Sequence, residues 1–340
     1  MAPPADAGVG MRMLGAVDRV RRWWLWRLGG WGRVLVRHRE LRVCVVFSTV
    51  VVTALLGTMI APLWLLALGP LVWGIPHLVA DLRYLVVRTG YGQRPRLLLL
   101  GGLPLLSIGL GADLTWGFVG GIAVALAARA DLRRRLFAVG LLGCCAAGLL
   151  ALGDLSDVVF GHAHNFAALG LWWIWRPRRT RLHWIPVALL LAAIAFLLSP
   201  LALDGMRALG GLAWFPAGED STRQLWRLAP GLSPDLGLRL VLLFCLMQSV
   251  HYALWLHMLP DEDRERSTAM TFRASYRQLE RDIGSVGVWV AMLLGAGIIV
   301  WAVLDLSAAG RGYFRMARFH GHLEIMAVVV LLLERRRRPT

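Results

Sequence analysis

The sequence contains no lysine; all 37 of its basic residues are arginine, a compositional bias without functional content. Charge of either sign is scarce, at 17% of 340 residues, against 57% hydrophobic residues and a mean hydropathy of +0.60. That balance excludes an ordinary soluble enzyme and places the chain in a lipid bilayer. Cysteines number only four, Cys44, Cys144, Cys145 and Cys245, with no C-x-x-C spacing. They read as structural thiols, not as a disulfide framework or a thiolate zinc site. A P-loop and a nucleophile elbow are also lacking, which removes the best-marked routes to nucleotide and ester hydrolysis. No internal repeat is visible, and this counts weakly against a repeat-built transporter. No cleavable signal peptide is evident, because the first apolar run begins near residue 43, behind a long basic stretch; that run is expected to serve as its own insertion signal.

What is present is a series of apolar runs, each long or nearly long enough to cross ~30 Å of hydrocarbon. They fall at about 43–61, 62–86, 97–112, 114–128, 136–153, 158–175, 184–203, 236–258, 284–304 and 319–334. The expected fold is therefore an all-α polytopic bundle of about ten transmembrane helices. An even number of spans puts both termini on one side, and the arginines from Arg12 to Arg42 make that side the cytoplasm of a bacterial-type inner or plasma membrane. The net charge of +16 and the pI near 11.3 would suit nucleic acid if the charge formed one patch. Instead the arginines follow the alternating loops, and only Arg207, Arg223, Arg227, Arg239, Arg311, Arg315 and Arg318 fall on outer segments. The basic excess states topology and attraction to the lipid surface, so the bilayer is the expected partner and nucleic acid is not. Residues 1–42 form a basic, Trp-rich interfacial segment that Gly29-Gly30 should break; 43–334 form a single bundle, with an outer loop at 204–235 and an inner amphipathic helix at 262–283 entered after Pro260; 335–340 form a basic tail. The glycines of the third to fifth spans, including Gly117-x-x-x-Gly121, are expected to let helices approach closely.

Nine histidines carry most of the chemistry. His38 and His183 flank spans and read as ordinary interfacial residues, as does His257. The other six sit in spans, where an ionisable group is rare and usually faces a bundle interior. Counted at ~1.5 Å per residue from the inner polar boundary of each helix, His77, His164, His251 and Glu324 lie ~15 to ~18 Å deep, near the midplane; His162 and His320 lie one turn further out. His77-x-x-x-Asp81 and His320-x-x-x-Glu324 each put an imidazole and a carboxylate on one helix face. With His164 and His251 they would surround a nitrogen and oxygen pocket suited to Fe(II) or Zn(II). Asp81 and Glu324 would ligate, orient a ligating ring, or serve as acid–base groups. His162 stands beside them as a further ligand candidate, and His322 is held in reserve. The competing reading of the whole set is an interhelical hydrogen-bond network.

The stretch Trp73-Gly74-Ile75-Pro76-His77-Leu78-Val79-Ala80-Asp81 resembles the Gly-x-Pro-His-x-x-x-Asp segment of the Brp/Blh family of membrane-embedded β-carotene 15,15′-dioxygenases. The resemblance implies a polytopic helical fold, non-haem iron held by histidines of several helices, His77 among the ligands, and Asp81 close by. The chemistry it implies is cleavage or oxidation of a carotenoid, an isoprenoid or another lipid by molecular oxygen, with the substrate arriving laterally and aromatics such as Trp73, Phe166, Trp172, Trp173, Tyr252, Trp255 and Phe319 lining its path. Three other readings of the same residues stay open: a zinc-dependent lipid hydrolase, a bis-histidine haem protein for electron transfer, and a proton-coupled carrier.

Overall fold

The computed structural model describes residues 9–177, 180–213 and 220–334. The tail at 335–340, and Arg178 and Arg179 of the inner-side arginines, lie outside the described residues. Every regular element among the described residues is helical.

Two interfacial helices, α1 (Val9–Arg27) and α2 (Gly29–Arg37), meet at Gly29, whose φ of +55° ends the first helix at the expected break. Their tryptophans Trp24, Trp26 and Trp31 are exposed. The bundle follows as α3 (Arg39–Ile60), α4 (Pro62–Asp81), α5 (Pro95–Gly109), α6 (Thr115–Ala127), α7 (Leu132–Leu152), α8 (Ser156–Trp175) and α9 (Trp184–Leu198). Two short helices, α10 (Pro200–Ala208) and α11 (Ser221–Leu228), occupy much of what hydropathy marks as a loop. The chain continues through α12 (Pro234–Ala253), α13 (Leu259–Glu262), α14 (Phe272–Leu304), α15 (Leu306–Ala317) and α16 (His320–Leu333).

Seven helical runs are long and apolar enough to cross a membrane. All ten apolar runs of the sequence are helical, but they differ in kind. One of the seven, Leu132–Trp175, is the pair α7 and α8, which meet at Gly153 with φ +54°. α5 and α6 are shorter, at 15 and 13 residues, or ~22 and ~20 Å of helix. The amphipathic helix expected at 262–283 starts only at Phe272, where Thr271 Oγ1 accepts from Ala274 N (3.2 Å) and Asp18 of α1 accepts from the backbone N–H groups of Phe272 (2.7 Å) and Arg273 (3.2 Å). It runs to a kink at Gly284, φ +74°, where the apolar half of α14 begins.

α12 is the central helix, packed against α3, α4, α8, α9 and α11, with its residues from Val241 to Met247 all buried. α16 packs against α4, α5, α6 and α8. The close approaches expected at glycines fall mainly on the fourth span, where a Cβ at Gly117 would lie 2.0 Å from the His322 ring and one at Gly120 2.6 Å from Met326; at Gly140, Gly143 and Gly148 of the fifth span a Cβ would meet nothing within 4 Å, so those glycines do not serve close packing. The cysteines are unpaired thiols, with Cys44 and Cys245 buried.

One end of the bundle is belted by ion pairs between loops and helix ends: Arg42–Asp261 (2.8 Å), Arg83–Asp282 (2.7 Å), Arg88–Asp263 (2.9 Å) and Arg94–Glu334 (2.7 Å). His183 belongs to this belt. It is 1% exposed, with Nε2 3.0 Å from Glu40 Oε2, and so is a buried partner of a carboxylate where an ordinary interfacial residue is expected.

Candidate metal centre

α4 delivers His77 and Asp81, α12 delivers His251, and α16 delivers His320 and Glu324. Both carboxylates and His77 are fully buried, and His251 is 1% exposed. α4 and α12 each pass into a π-helical turn just beyond the site, at Leu82–Val87 and Leu254–Met258, which shifts the helix face by the extra residue such turns hold. The i, i+4 spacing read from the sequence does set each carboxylate beside the site, though Asp81 Oδ2 stays 3.6 Å from His77 Nε2, too long for a hydrogen bond.

Three rings are fixed by their own helices. His77 Nδ1 lies 3.0 Å from the Gly74 carbonyl, His164 Nδ1 2.8 Å from the Gly161 carbonyl, and His320 Nδ1 against the Ala317 carbonyl. A carbonyl oxygen only accepts, so each Nδ1 carries the proton and each neutral ring presents its Nε2 lone pair. Four rings form a closed circuit: centroids lie 4.8 Å apart for His77–His320, 4.9 Å for His320–His164, 5.1 Å for His164–His251 and 5.1 Å for His251–His77. Ligand atoms of His77, His251, His320 and Glu324 all lie within 4.8 Å of one another. His251 Nε2 is 3.3 Å from His77 Nε2 and 3.5 Å from Glu324 Oε1. Two nitrogens each ~2.05 Å from one tetrahedral ion would stand about 3.3 Å apart.

The donors fit a metal better than they fit a hydrogen-bond network. Trp255 Nε1 donates to Glu324 Oε1 (2.8 Å), and Gln248 Nε2 donates to Tyr252 Oη (3.2 Å). Both oxygens of Asp81, Glu324 Oε2, His251 Nδ1 and His320 Nε2 have no hydrogen-bond partner among the described residues. A network that strands five buried polar atoms forfeits roughly 1–3 kcal/mol at each. A cation held at the Nε2 atoms would satisfy His320 Nε2 and offset the carboxylates together, leaving only His251 Nδ1 without a partner.

The remaining sequence candidates separate cleanly. His162, two residues from His164, points away: its Nε2 donates to the Leu228 carbonyl (2.9 Å) and its ring meets Phe244. His322 is buried but screened from the cluster by Phe160, which stacks on it at 4.2 Å and on His164 at 6.2 Å. His257 is exposed, on the π-helical turn of α12.

A cavity of about 350 Å³ reaches the cluster from the end opposite the ion-pair belt, and its lining runs from buried His251 past His164 and His320 to exposed Arg311 and Arg315. Its aromatic wall is Phe160, Phe244, Tyr252, Tyr313 and Phe314. Of the aromatics expected to line a path, only Tyr252 does so. Trp172 is fully buried against Phe47, Trp73 is half exposed on the outside of α4, and Trp255 holds Glu324. Tyr313 is the residue sequence reasoning missed, and Gly74, across from it, was its only trace: a Cβ there would lie 2.3 Å from the Tyr313 ring.

Compared with known proteins, the chain matches no family model, no curated protein and no solved structure.

Proposed function

We propose that this chain is a membrane-embedded metalloenzyme, a non-haem iron oxygenase acting on an apolar lipid or isoprenoid, as the likeness of Trp73–Asp81 to the carotene-cleaving family suggests. The observation that carries the reading is the convergence of ligand atoms from three helices, those of His77, His251, His320 and Glu324 lying within 4.8 Å of one another, beside the two Asp81 oxygens and Glu324 Oε2, which have no hydrogen-bond partner among the described residues. His77, His251, His320 and Glu324 would hold Fe(II), with His164 completing the ring circuit at the cavity. The ion, when bound, supplies the one-electron chemistry that couples dioxygen to an otherwise unreactive carbon framework. The protein does the rest. The backbone carbonyls of Gly74, Gly161 and Ala317 hold the tautomers and ring angles, the Trp255 indole fixes one Glu324 oxygen, and the aromatic wall excludes water while positioning substrate. Asp81, free of hydrogen bonds beside His77, is the group placed to take or return a proton. Both termini belong on the cytoplasmic side of a bacterial-type plasma membrane in a bundle of about ten crossings.

That same unpartnered Asp81 favours one second reading, a zinc site with Asp81 as general base in lipid hydrolysis. Haem fits poorly, because the His164 and His320 rings occupy the space around the His77–His251 pair that a macrocycle would need. Metal content and the optical spectrum of the purified protein test the proposal. Stoichiometric iron without a Soret band is expected, lost in both His77→Ala and His251→Ala while membrane insertion persists. Stoichiometric zinc would move the reading to the hydrolase. A Soret band, or full iron occupancy in both variants, would refute it.

A further inference from the structure

The cavity mouth carries an excess of positive charge that topology does not explain. Its charged lining residues are Arg227, Arg311, Arg315 and Arg318 against one acid, Asp157. Four of the seven arginines on outer segments thus converge on one opening. Arg311, Arg315 and Arg318 are spaced i, i+4, i+7, a single stripe along α15 and its last turn, while Ala309, Tyr313 and Ala317 on the other side of α15 are buried with Leu71, Ile75 and Leu78 of α4. Like charges at this spacing repel. At the belted end the comparable strain is relieved, because Arg42, Arg83, Arg88 and Arg94 each meet a carboxylate within 3 Å. At the mouth, Asp157 answers Arg318 at 2.8 Å and Arg227 lies over the Phe314 ring at 4.7 Å. Among the described residues, no carboxylate lies within ion-pair distance of Arg311 or Arg315, although both line a cavity whose wall is otherwise largely aromatic and aliphatic.

We infer that the cavity takes an amphiphile whose anionic head, a carboxylate or a phosphate monoester, seats on Arg311 and Arg315 while its apolar chain runs along Phe160 and Phe244 to the histidines. A guanidinium offers a fork of donors matched to these heads, and a cavity wall that excludes water strengthens the pairing. A neutral hydrocarbon would leave both arginines as they are. The inference deepens the oxygenase reading by naming its substrate class, and rests on that reading for the chemistry at the inner end; head-group seating does not require the metal.

The test is equilibrium binding to the full chain in nanodiscs of zwitterionic lipid, with hexadecanoate, hexadecyl phosphate, hexadecanol and inorganic phosphate as probes. Either anionic chain should bind roughly tenfold or more tightly than hexadecanol. The double variant Arg311→Gln, Arg315→Gln should bring the anionic chains down to hexadecanol, and Arg311→Lys, Arg315→Lys should keep most of the preference. Inorganic phosphate should not compete; competition at comparable concentration would mean a free-anion site and overturn the amphiphile. Equal binding of hexadecanol and hexadecanoate, or a preference that survives the Gln pair, also overturns it. Iron assayed in the same preparations separates the two claims: iron present without head-group preference sinks this inference alone, and preference without iron sinks the oxygenase alone.

Discussion

At Gly74 a Cβ would come within 2.3 Å of the Tyr313 ring, which is buried between α4 and the cavity and could give way only into the cavity. The Gly74 carbonyl meanwhile fixes His77. Gly74→Ala should therefore lower stability by roughly 1–3 kcal/mol through overpacking and reduce metal occupancy with it. Gly102→Ala on α5, where a Cβ meets nothing within 4 Å, should be neutral or slightly stabilising in the same thermal and metal assays. An undisturbed Gly74→Ala would mean Tyr313 is not held against α4. Trp255→Phe offers a second check: it strands both Glu324 oxygens, and a loss of about 1–3 kcal/mol is expected if the carboxylate depends on that indole. Much of this site is legible in the sequence, because depth and the i, i+4 rule need only residue numbers; His77, Asp81, His251, His320 and Glu324 follow from them. The choice between His162 and His164 does not. Residues two apart point to nearly opposite sides of a helix, so one alone can face the cluster, and the rotation of α8 that selects His164 is set by packing against α12. Trp255 is read from the sequence as lining a path and Tyr313 is missed, because an aromatic in a membrane helix has an ordinary lipid-facing explanation, and only contact with Glu324 or Gly74 shows what each does.

Helix ends are tied by carboxylates brought from elsewhere in the chain. Glu334 closes α16 onto Arg94, at the start of α5, at 2.7 Å, and also accepts from Arg129 N after α6 at 2.6 Å. Burial opposes ionisation there, but the hydrogen bonds from Arg94 and the Arg129 backbone outweigh it and hold the carboxyl below its ordinary 4.5. A folded value below the unfolded one makes the contribution complete above about 4.5 and lost as pH falls through the folded value. Acid titration of the melting temperature should thus show a drop in that window which Glu334→Gln lacks, the variant being already less stable at neutral pH. Identical acid limbs for parent and variant would remove Glu334 from the account. Tyr91 beside it is pushed up to about 12, by burial first and by the Glu334 charge second. Asp18 does comparable work for α14, capping its first turn from α1. The amphipathic helix begins at Phe272 and not soon after Pro260 because its first turn is capped there twice, locally by the Thr271 hydroxyl and from α1 by Asp18; the apolar period that opens on Phe272 is legible in the sequence, whereas the Asp18 contact, distant in the chain, is not. Asp18→Ala should cost about 0.5–2 kcal/mol and speed proteolysis between α2 and α3 if α1 is anchored there.

Across the whole molecule, charge is sorted by end and by state of pairing. The belted end holds its arginines in carboxylate contacts that fasten loops to helix ends, whereas the cavity end gathers arginines around an opening. Sequence alone reads the first pattern as topology, since counting charges per loop needs no coordinates; it cannot see that arginines from α11 and α15 share one mouth, because they lie some eighty residues apart. If the positive-inside bias sets orientation, the belt faces the cytoplasm and the cavity opens outward or toward the outer leaflet. Single-cysteine labelling decides this with exposed sites on the two ends. Thr222→Cys on α11 should react with a membrane-impermeant maleimide in intact cells, and Ser275→Cys on the amphipathic part of α14 should react only after permeabilisation, each read against the parent chain, whose own exposed cysteines are Cys144 and Cys145. The opposite pattern would turn the cavity toward the cytoplasm, and an anionic amphiphile would then have to arrive from the inner side.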